Sequence, residues 1–376
     1  MTALDMPKLS ICVPTYNRAS LLEAAVLRLV DQVSCLACDG AVEILIGDNA
    51  STDSTEMVGW RFASSYPYIR YFKNDTNLGG ERNWLNLSTI AKGDFFWVLA
   101  DDDYIHQGVL HKIIANSDSH KMGLVYINYS IWSGQFDVFD GPSRCSATVD
   151  GFKRTRREFY SEVRFANSFI SSVAFNREQF NSNRSEIQRY CSNPWLQLYA
   201  ADLLLKEKGA FVIAEPLIRK RSPEIRSVRT AARAQGLEHF YMTAHLRFLE
   251  FASRLKDDGI DVLDGNEMAA GNLYQIVTEK MTSDTYDASY WVHVLKQMLA
   301  ATVLNKGVSF WFRDVPAILL PNAFSRFIDR WWSFKGAIVK VISGFAKSSN
   351  PIKTTIYQCL IIYRRVKQRI RTGRTA

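Results

Sequence analysis

Three carboxylates stand in a row at Asp101-Asp102-Asp103, at the end of the largely apolar run Asp94-Phe-Phe-Trp-Val-Leu99. A short apolar run of this kind reads as a buried strand, which puts the triplet at a strand end. Adjacent carboxylates repel one another and are poorly solvated at the mouth of a buried sheet. A hard divalent cation resolves that conflict. Mg2+ or Mn2+ takes one or two carboxylates and completes its shell with phosphate oxygens. Such a cation would neutralise a departing diphosphate. Taken alone, the triplet would serve equally well as a helix start, with Asp103 as the cap.

Three further strand ends carry polar groups. Pro14-Thr-Tyr-Asn-Arg18 follows the apolar run Leu9–Val13 and sets a ring, an amide and a guanidinium side by side. That combination can stack a base and approach a phosphate. Asp48-Asn-Ala-Ser-Thr-Asp53 ends the run Val42–Ile46. A carboxylate there can accept a hydrogen bond from a base N–H, although Asn49, Ser51 and Asp53 also suit turn and cap chemistry. Asn77-Leu-Gly-Gly-Glu-Arg-Asn83 opens a helix. Glycines at a helix start let the backbone approach an anion, and Arg82 adds charge. The run is neither GxGxxG nor a P-loop, which excludes dinucleotide and Walker-type readings.

The elements that must position these groups alternate. Strand patterns at Leu9–Val13, Val42–Ile46, Ile69–Phe72, Asp94–Leu99 and Leu124–Ile127 are separated by helical ones. Ser20-Leu-Leu-Glu23 has the capping-box pattern, and Leu22, Val26, Leu29, Val30 and Val33 follow at helical spacing. Asp53-Ser-Thr-Glu56 caps a second helix, Gly79-Gly80 opens a third that runs to about Ala91, and a fourth starts near Gln107. Alternation of this kind predicts an α/β fold, a mostly parallel sheet with helices on both faces. Ligands bind such sheets beyond the carboxyl ends of the strands. Further on, Ser172–Phe175 reads as a strand and Pro194–Lys208 as a helix. Phe211–Ala214 reads as a strand stopped by Pro216. Helical patterns follow at His239–Leu255 and Met268–Met281.

In order, PTYNR, ILIGDNASTD, NLGGERN and AKGDFFWVLADDD resemble the nucleotide-binding half of family 2 glycosyltransferases with the GT-A fold. Within that family the chain is distantly similar to O-antigen sugar transferases of the abequosyltransferase type. The resemblance implies transfer of a sugar from a nucleoside-diphosphate sugar to a hydroxyl acceptor. It implies that Pro14, Thr15, Tyr16 and Arg18 line the nucleoside pocket. Asp48 would bind the base, with Asn49 and Asp53 shaping its loop. Arg82 would lie near the nucleotide and Asp101 near the ribose. Asp102 would be the principal metal ligand, with Asp103 completing the cluster. The common pattern has an Asp where this chain has Ala100.

The acceptor half departs further from the family. An acidic pair usually stands near the start of a helix before a glycine-ended strand, one member acting as base. Here the stretch reads Ser192-Asn-Pro-Trp-Leu-Gln197, with no acid. Asp202 is the first carboxylate on that helix and becomes the candidate base; Asp137, Asp140 and Glu186 are others. The resemblance therefore fixes no stereochemistry. After the next strand comes Arg219-Lys-Arg-Ser-Pro-Glu-Ile-Arg226, where Arg221 and Arg226 could close over a pyrophosphate or simply form a solvated basic face.

The chain has 376 residues, 47% of them hydrophobic, and a net charge of +8. That charge is concentrated in the tail, where Leu320 to Ala376 holds five Lys and seven Arg against one Asp. Ile352, Ile356, Leu360, Tyr363, Val366 and Ile370 recur there at helical spacing among basic residues, downstream of Phe310, Trp331 and Trp332. A basic amphipathic segment with aromatic rings fits the surface of an anionic membrane. No apolar run reaches the roughly 18 residues of a spanning helix, and no signal-peptide pattern opens the chain. The six cysteines are scattered, and Cys35–Cys38 has no second ligand pair, so they read as ordinary thiols. No reading motif for nucleic acid is present.

These readings give a GT-A-like domain over 1–222, its nucleotide-binding half 1–105 and its acceptor half 106–222. A helical region over 223–305 and a basic aromatic tail over 306–376 follow. The expected location is cytoplasmic, peripheral on the inner face of the cytoplasmic membrane. The expected acceptor is a lipid-linked glycan of bacterial surface polysaccharide synthesis. The rival readings are a non-catalytic membrane-associated scaffold and a nucleotidyltransferase.

Overall fold

Leu9, Ile11, Cys12 and Val13 are all fully buried in β1 (Leu9–Thr15). Such an unbroken apolar run marks a strand covered on both faces. The computed structural model describes residues 6–36, 40–132, 143–191, 193–221, 240–260, 294–296 and 298–299. Around β1 stand α1 (Ala19–Ser34), β2 (Val42–Asp48), α2 (Thr55–Ser65), β3 (Ile69–Lys73), α3 (Gly80–Ile90) and β4 (Phe95–Val98). The rest of the sheet comes from β5 (Tyr104–Ile105), β6 (Met122–Trp132), β7 (Gly151–Lys153), β8 (Val173–Asn176) and β9 (Gly209–Arg221). The strand order is β3-β2-β1-β4-β8-β6-β9-β5, with β7 also paired to β9.

The sheet is mostly parallel. β1 pairs with β2 and β4, β2 with β3, and β6 with β9, all in parallel, while β8 runs antiparallel between β4 and β6. Its two faces carry different helices. In register, Ile46 lies opposite Tyr71 and Gly47 opposite Phe72, so Tyr71 and Gly47 face opposite sides. Tyr71 meets Gly59 of α2, and Gly47 lies under Leu87 of α3. The α/β sheet with helices on both faces is therefore as expected. Chain order reverses at β1, whose neighbours are β2 on one side and β4 on the other. In open α/β sheets this is where ligands bind.

Rings pack the core beneath the acidic triplet. Phe96 meets Phe180 edge-on at 4.8 Å, and Trp84 stacks over Phe175 at 6.5 Å. The fully buried Trp97 donates from Nε1 to the Ser171 carbonyl at 2.7 Å. This packing fixes the direction in which β4 delivers its carboxyl end.

Several local expectations are altered. Helix α1 starts at Ala19, before the capping box, and Glu23 instead pairs with Arg61 of α2 at 2.6 Å. The open N–H of Ala19 is bonded by Asp53 Oδ2 at 3.3 Å, so the cap comes from the loop after β2. Pro216 does not stop its strand. The β6–β9 register passes from Ile127↔Ile213 to Tyr129↔Ile218, and Pro216 falls in the intervening bulge, where no ladder N–H is needed. Asn128 Nδ2 bonds the Ala214 carbonyl there at 2.6 Å.

Further α-helices among the described residues include α4 (Val109–Ala115), α5 (Arg156–Val163), α6 (Arg177–Ser182), α7 (Arg184–Gln188), α8 (Leu196–Glu207) and α9 (Phe240–Asp257). The chain divides into compact units of residues 1–265 and 266–376. The first unit thus extends past 222, because α9 is tied to it. Trp195 Nε1 donates to the Ala244 carbonyl at 2.6 Å, and Arg254 Nη1 to the Tyr190 hydroxyl at 2.7 Å. In the second unit, residues 294–296 and 298–299 are helical. The helical pattern Met268–Met281 and the basic tail lie outside the described residues. Cys12, Cys35, Cys145 and Cys191 are free thiols, and Cys38 lies outside the described residues. No helix among the described residues is long and apolar enough to cross a membrane.

Candidate functional site

The loop after β1 is locked to the loop after β2. Asn17 takes a left-handed backbone, φ 52°, uncommon for a residue with a side chain. Its N–H donates to Ser51 Oγ at 2.8 Å, and its Oδ1 accepts from Thr52 N at 2.7 Å. The next residue, Arg18, donates its N–H to Thr55 Oγ1 at 3.2 Å. The strain at Asn17 is thus held by bonds on both sides, and it leaves Tyr16 42% exposed at the crevice.

From that anchor the Arg18 side chain crosses to the end of β4. Its Nη1 lies 2.8 Å from Asp101 Oδ1 and 3.2 Å from Asp102 Oδ2. The other oxygen of Asp101 accepts from Thr15 Oγ1 at 2.7 Å. Asp101 is 3% exposed, and both its oxygens are engaged within the protein. Burial, helped by the charge of Asp102, pushes its carboxyl up against the opposing pull of Arg18 and Thr15. Asp101 therefore ties the loop after β1 to the end of β4.

The three carboxylates diverge. Asp103 turns inward, 3% exposed, and accepts from Ser171 Oγ at 2.6 Å. Burial raises its carboxyl to about 8, although Ser171 and the charge of Lys220 pull the other way. Lys220 lies over the Phe169 ring at 5.0 Å, and burial draws its ammonium down. Asp102, 29% exposed in its side chain, is the carboxylate of the three that faces outward. Among the described residues no three His, Cys, Asp or Glu groups converge to hold a metal. One open carboxylate at a strand end fits a cation that takes most of its ligands from a bound diphosphate and water, and does not fit an all-protein cage. Asp103 is turned away from that position, with Oδ2 bonded to Ser171.

Asp48 is likewise turned inward and fully buried. Oδ1 accepts from Ser51 N at 2.8 Å and Oδ2 from the Tyr71 hydroxyl at 2.6 Å. Its geometry shapes the loop, with one bond made to each oxygen. Asn49 carries that shape onward, donating to Asn77 Oδ1 at 2.7 Å and accepting from Leu78 N at 2.9 Å. Asn83 in turn donates to the Gly47 carbonyl at 2.8 Å. Gly79, at φ 84°, stands just before α3, and Arg82 is exposed in its first turn. The structure thus gathers Pro14, Thr15, Tyr16, Arg18, Asp101 and Asp102 at one crevice, with Asn49 bracing the neighbouring loop.

Asp202 does not join them. It is 5% exposed on α8, gripped by Arg156 through Nε and Nη2 at 2.8 and 3.0 Å, and approached by the Tyr160 hydroxyl at 3.3 Å. These contacts make Asp202 a tie between α5 and α8. Glu186 pairs with Arg189 at 2.6 Å. Arg221 is exposed at the end of β9, while Arg226, Asp137 and Asp140 lie outside the described residues. Ser171 and Trp97, which orient Asp103, went unread in the sequence. Ser171 is 68 positions from its partner, and no spacing links them.

Residues 10–175 match the family described as Glycosyl transferase family 2. The chain is 42% identical over 97 residues to abequosyltransferase RfbV of Salmonella typhimurium, a stretch covering 25% of this chain and 28% of that protein. It is 28% identical over 260 residues to the GalNAc(5)-diNAcBac-PP-undecaprenol beta-1,3-glucosyltransferase of Campylobacter jejuni, covering 67% of this chain and 75% of that one. Among solved structures, S. aureus TarS 1–349 in complex with UDP-GlcNAc aligns with 81% of this chain and 75% of its own, at 15% identity and a TM-score of 0.48. With its strand-end loops meeting at the point where chain order reverses, and with the family matching across β1 to β8, residues 10–175 of this chain form a glycosyl transferase family 2 domain.

Proposed function

We propose that this chain transfers a sugar from a nucleoside-diphosphate sugar to a hydroxyl on a lipid-linked glycan, in the assembly of a bacterial surface polysaccharide. The observation that carries the donor half is the junction of Thr15, Arg18, Asp101 and Asp102 at the reversal of chain order. The exposed Tyr16 ring offers a face for a base. Arg18 and Arg82 offer guanidinium groups to phosphate oxygens, which planar forks bind bidentately. Asp102 would hold Mg2+ or Mn2+, and that ion would supply charge stabilisation to the departing diphosphate. Arg221 and Arg226 are placed in sequence to approach the same phosphates from β9.

The acceptor half rests on relatives. The Campylobacter jejuni protein carries an undecaprenol-linked substrate in its name, and the Salmonella typhimurium one is an abequosyltransferase. The basic aromatic tail fits a membrane surface, where each basic residue adds about 1 kcal/mol of attraction. A peripheral position on the inner face of the cytoplasmic membrane would bring the site to such an acceptor.

The test is release of nucleoside diphosphate from a panel of sugar nucleotides with lipid-linked acceptors, with and without Mn2+. Turnover of one donor that depends on Mn2+ supports the reading. No turnover together with no metal-dependent nucleotide binding would leave the scaffold reading in its place.

A further inference from the structure

We propose that Arg18 fills the cation position in the nucleotide-free protein, so that a divalent ion enters only together with the donor's diphosphate. This rests on the donor reading above. The Arg18 guanidinium bridges Asp101 and Asp102 at 2.8 and 3.2 Å, so the outward-facing carboxylate already has a positive partner. Arginine stays charged at any working pH, so this partner is permanent. A divalent ion approaching Asp102 alone would meet that charge within a few ångströms, where like charges repel strongly.

The anchor of Arg18 prevents the loop from simply moving away. Its N–H is bonded to Thr55 Oγ1, and the preceding Asn17 is fixed to Ser51 and Thr52. Asp101, buried and bonded to Thr15, holds one side of the guanidinium in place. The freedom left is at the tip of the side chain, which is 47% exposed. A diphosphate changes the balance. Its oxygens can accept from the guanidinium and ligate the ion at once, so negative charge then lies between the two cations. Arg18 is thus a positioning residue that couples metal binding to donor binding. Coupling of this kind is reciprocal, so the metal must also tighten the nucleotide.

The experiment measures Mn2+ binding to the full chain by electron paramagnetic resonance of the free ion, alone and with UDP, GDP or CDP. The wild type is expected to bind Mn2+ at least tenfold more tightly with one of the three. Arg18→Gln is expected to bind Mn2+ alone at least tenfold more tightly than the wild type, and Arg18→Lys to restore weak binding. Arg18→Met provides a second neutral side chain if Arg18→Gln fails to fold. Nucleotide-free Mn2+ affinity that is the same in the wild type and the neutral variants overturns the proposal and leaves the donor reading standing. Absence of Mn2+ binding by the wild type with all three nucleotides overturns both.

Discussion

Arg156 grips Asp202 through two nitrogens, Nε 2.8 Å from Oδ1 and Nη2 3.0 Å from Oδ2, and reaches Asp258 at 3.0 Å with the same guanidinium. One side chain on α5 thus ties α8 to the residue just beyond α9. Removing one partner of a buried pair leaves the other uncompensated. Asp202→Ala should therefore cost about 3 kcal/mol of stability, the low end for buried pairs because Asp258 remains. Nucleoside diphosphate affinity should stay within twofold. A stable variant with abolished turnover would instead return Asp202 to the role of base.

Asp102→Ala should abolish metal-dependent donor binding. Asp102 is partly exposed, and its single bond to Arg18 is the longer of that residue's two. The change in stability should lie within about 0.5 kcal/mol, as for surface positions. Calorimetric titration with and without Mn2+ checks this, and full metal-dependent binding by the variant would show that the ion sits elsewhere.

Tyr71→Phe tests the loop after β2. The hydroxyl donates to the fully buried Asp48, and its loss strands Asp48 Oδ2 without a donor. An orphaned buried acceptor costs about 1–3 kcal/mol, more when charged. Urea unfolding should show that loss, and nucleotide affinity should fall as the Ser51 turn loosens. An unchanged urea midpoint would mean that water replaces the hydroxyl.

The strand ends were legible because each polar motif follows an apolar run, and an apolar run of four to seven residues has few other uses in a folded chain. What such spacing cannot reveal is whether a carboxylate at a strand end is already bonded inside. Asp48 and Asp101 stand at strand ends as ligand groups would, and Tyr71 and Thr15, distant in sequence, each make one bond to them inside the protein. Asp202 read as a base because it was the first acid on its helix, and Arg156 lies 46 residues away. Pro216 read as a strand end because the bulge that accommodates it is set by β6, not by its own neighbours. Strands β5 and β7 have two and three residues, too few for any periodicity to register.

His106 provides a pH prediction. Its ring is partly buried and its Nε2 has no hydrogen-bond partner among the described residues. Burial, helped by the charge of Arg219, holds the imidazole below its usual range. A group depressed in the folded state stabilises above its unfolded value, about 6.5, and that stability is lost as pH falls through the folded value. Between pH 7.5 and 5 the wild type should lose more stability than His106→Asn. Equal slopes in urea titrations at the two pH values would count against it.

Deleting residues 351–376 should release the protein from vesicles of anionic lipid while sparing Mn2+-dependent nucleotide binding. Flotation assays with and without anionic lipid measure the first, and calorimetry the second. Vesicle binding unchanged by the deletion would assign the membrane contact to another part of the chain.

The loops after β2 and β3 are joined by neutral amides. Asn49 bonds Asn77, and Asn74 bonds Asn49 and Asn83 at 3.1 and 3.0 Å. The join between the loop after β1 and the end of β4 combines the buried Thr15–Asp101 bond with the charged tip of Arg18, half open to solvent. Ionic strength screens exposed charges over about 8 Å at physiological salt and leaves amide bonds almost untouched. Salt therefore acts as a selective solvent here: it loosens the guanidinium bridge while the amide-braced cradle keeps its shape.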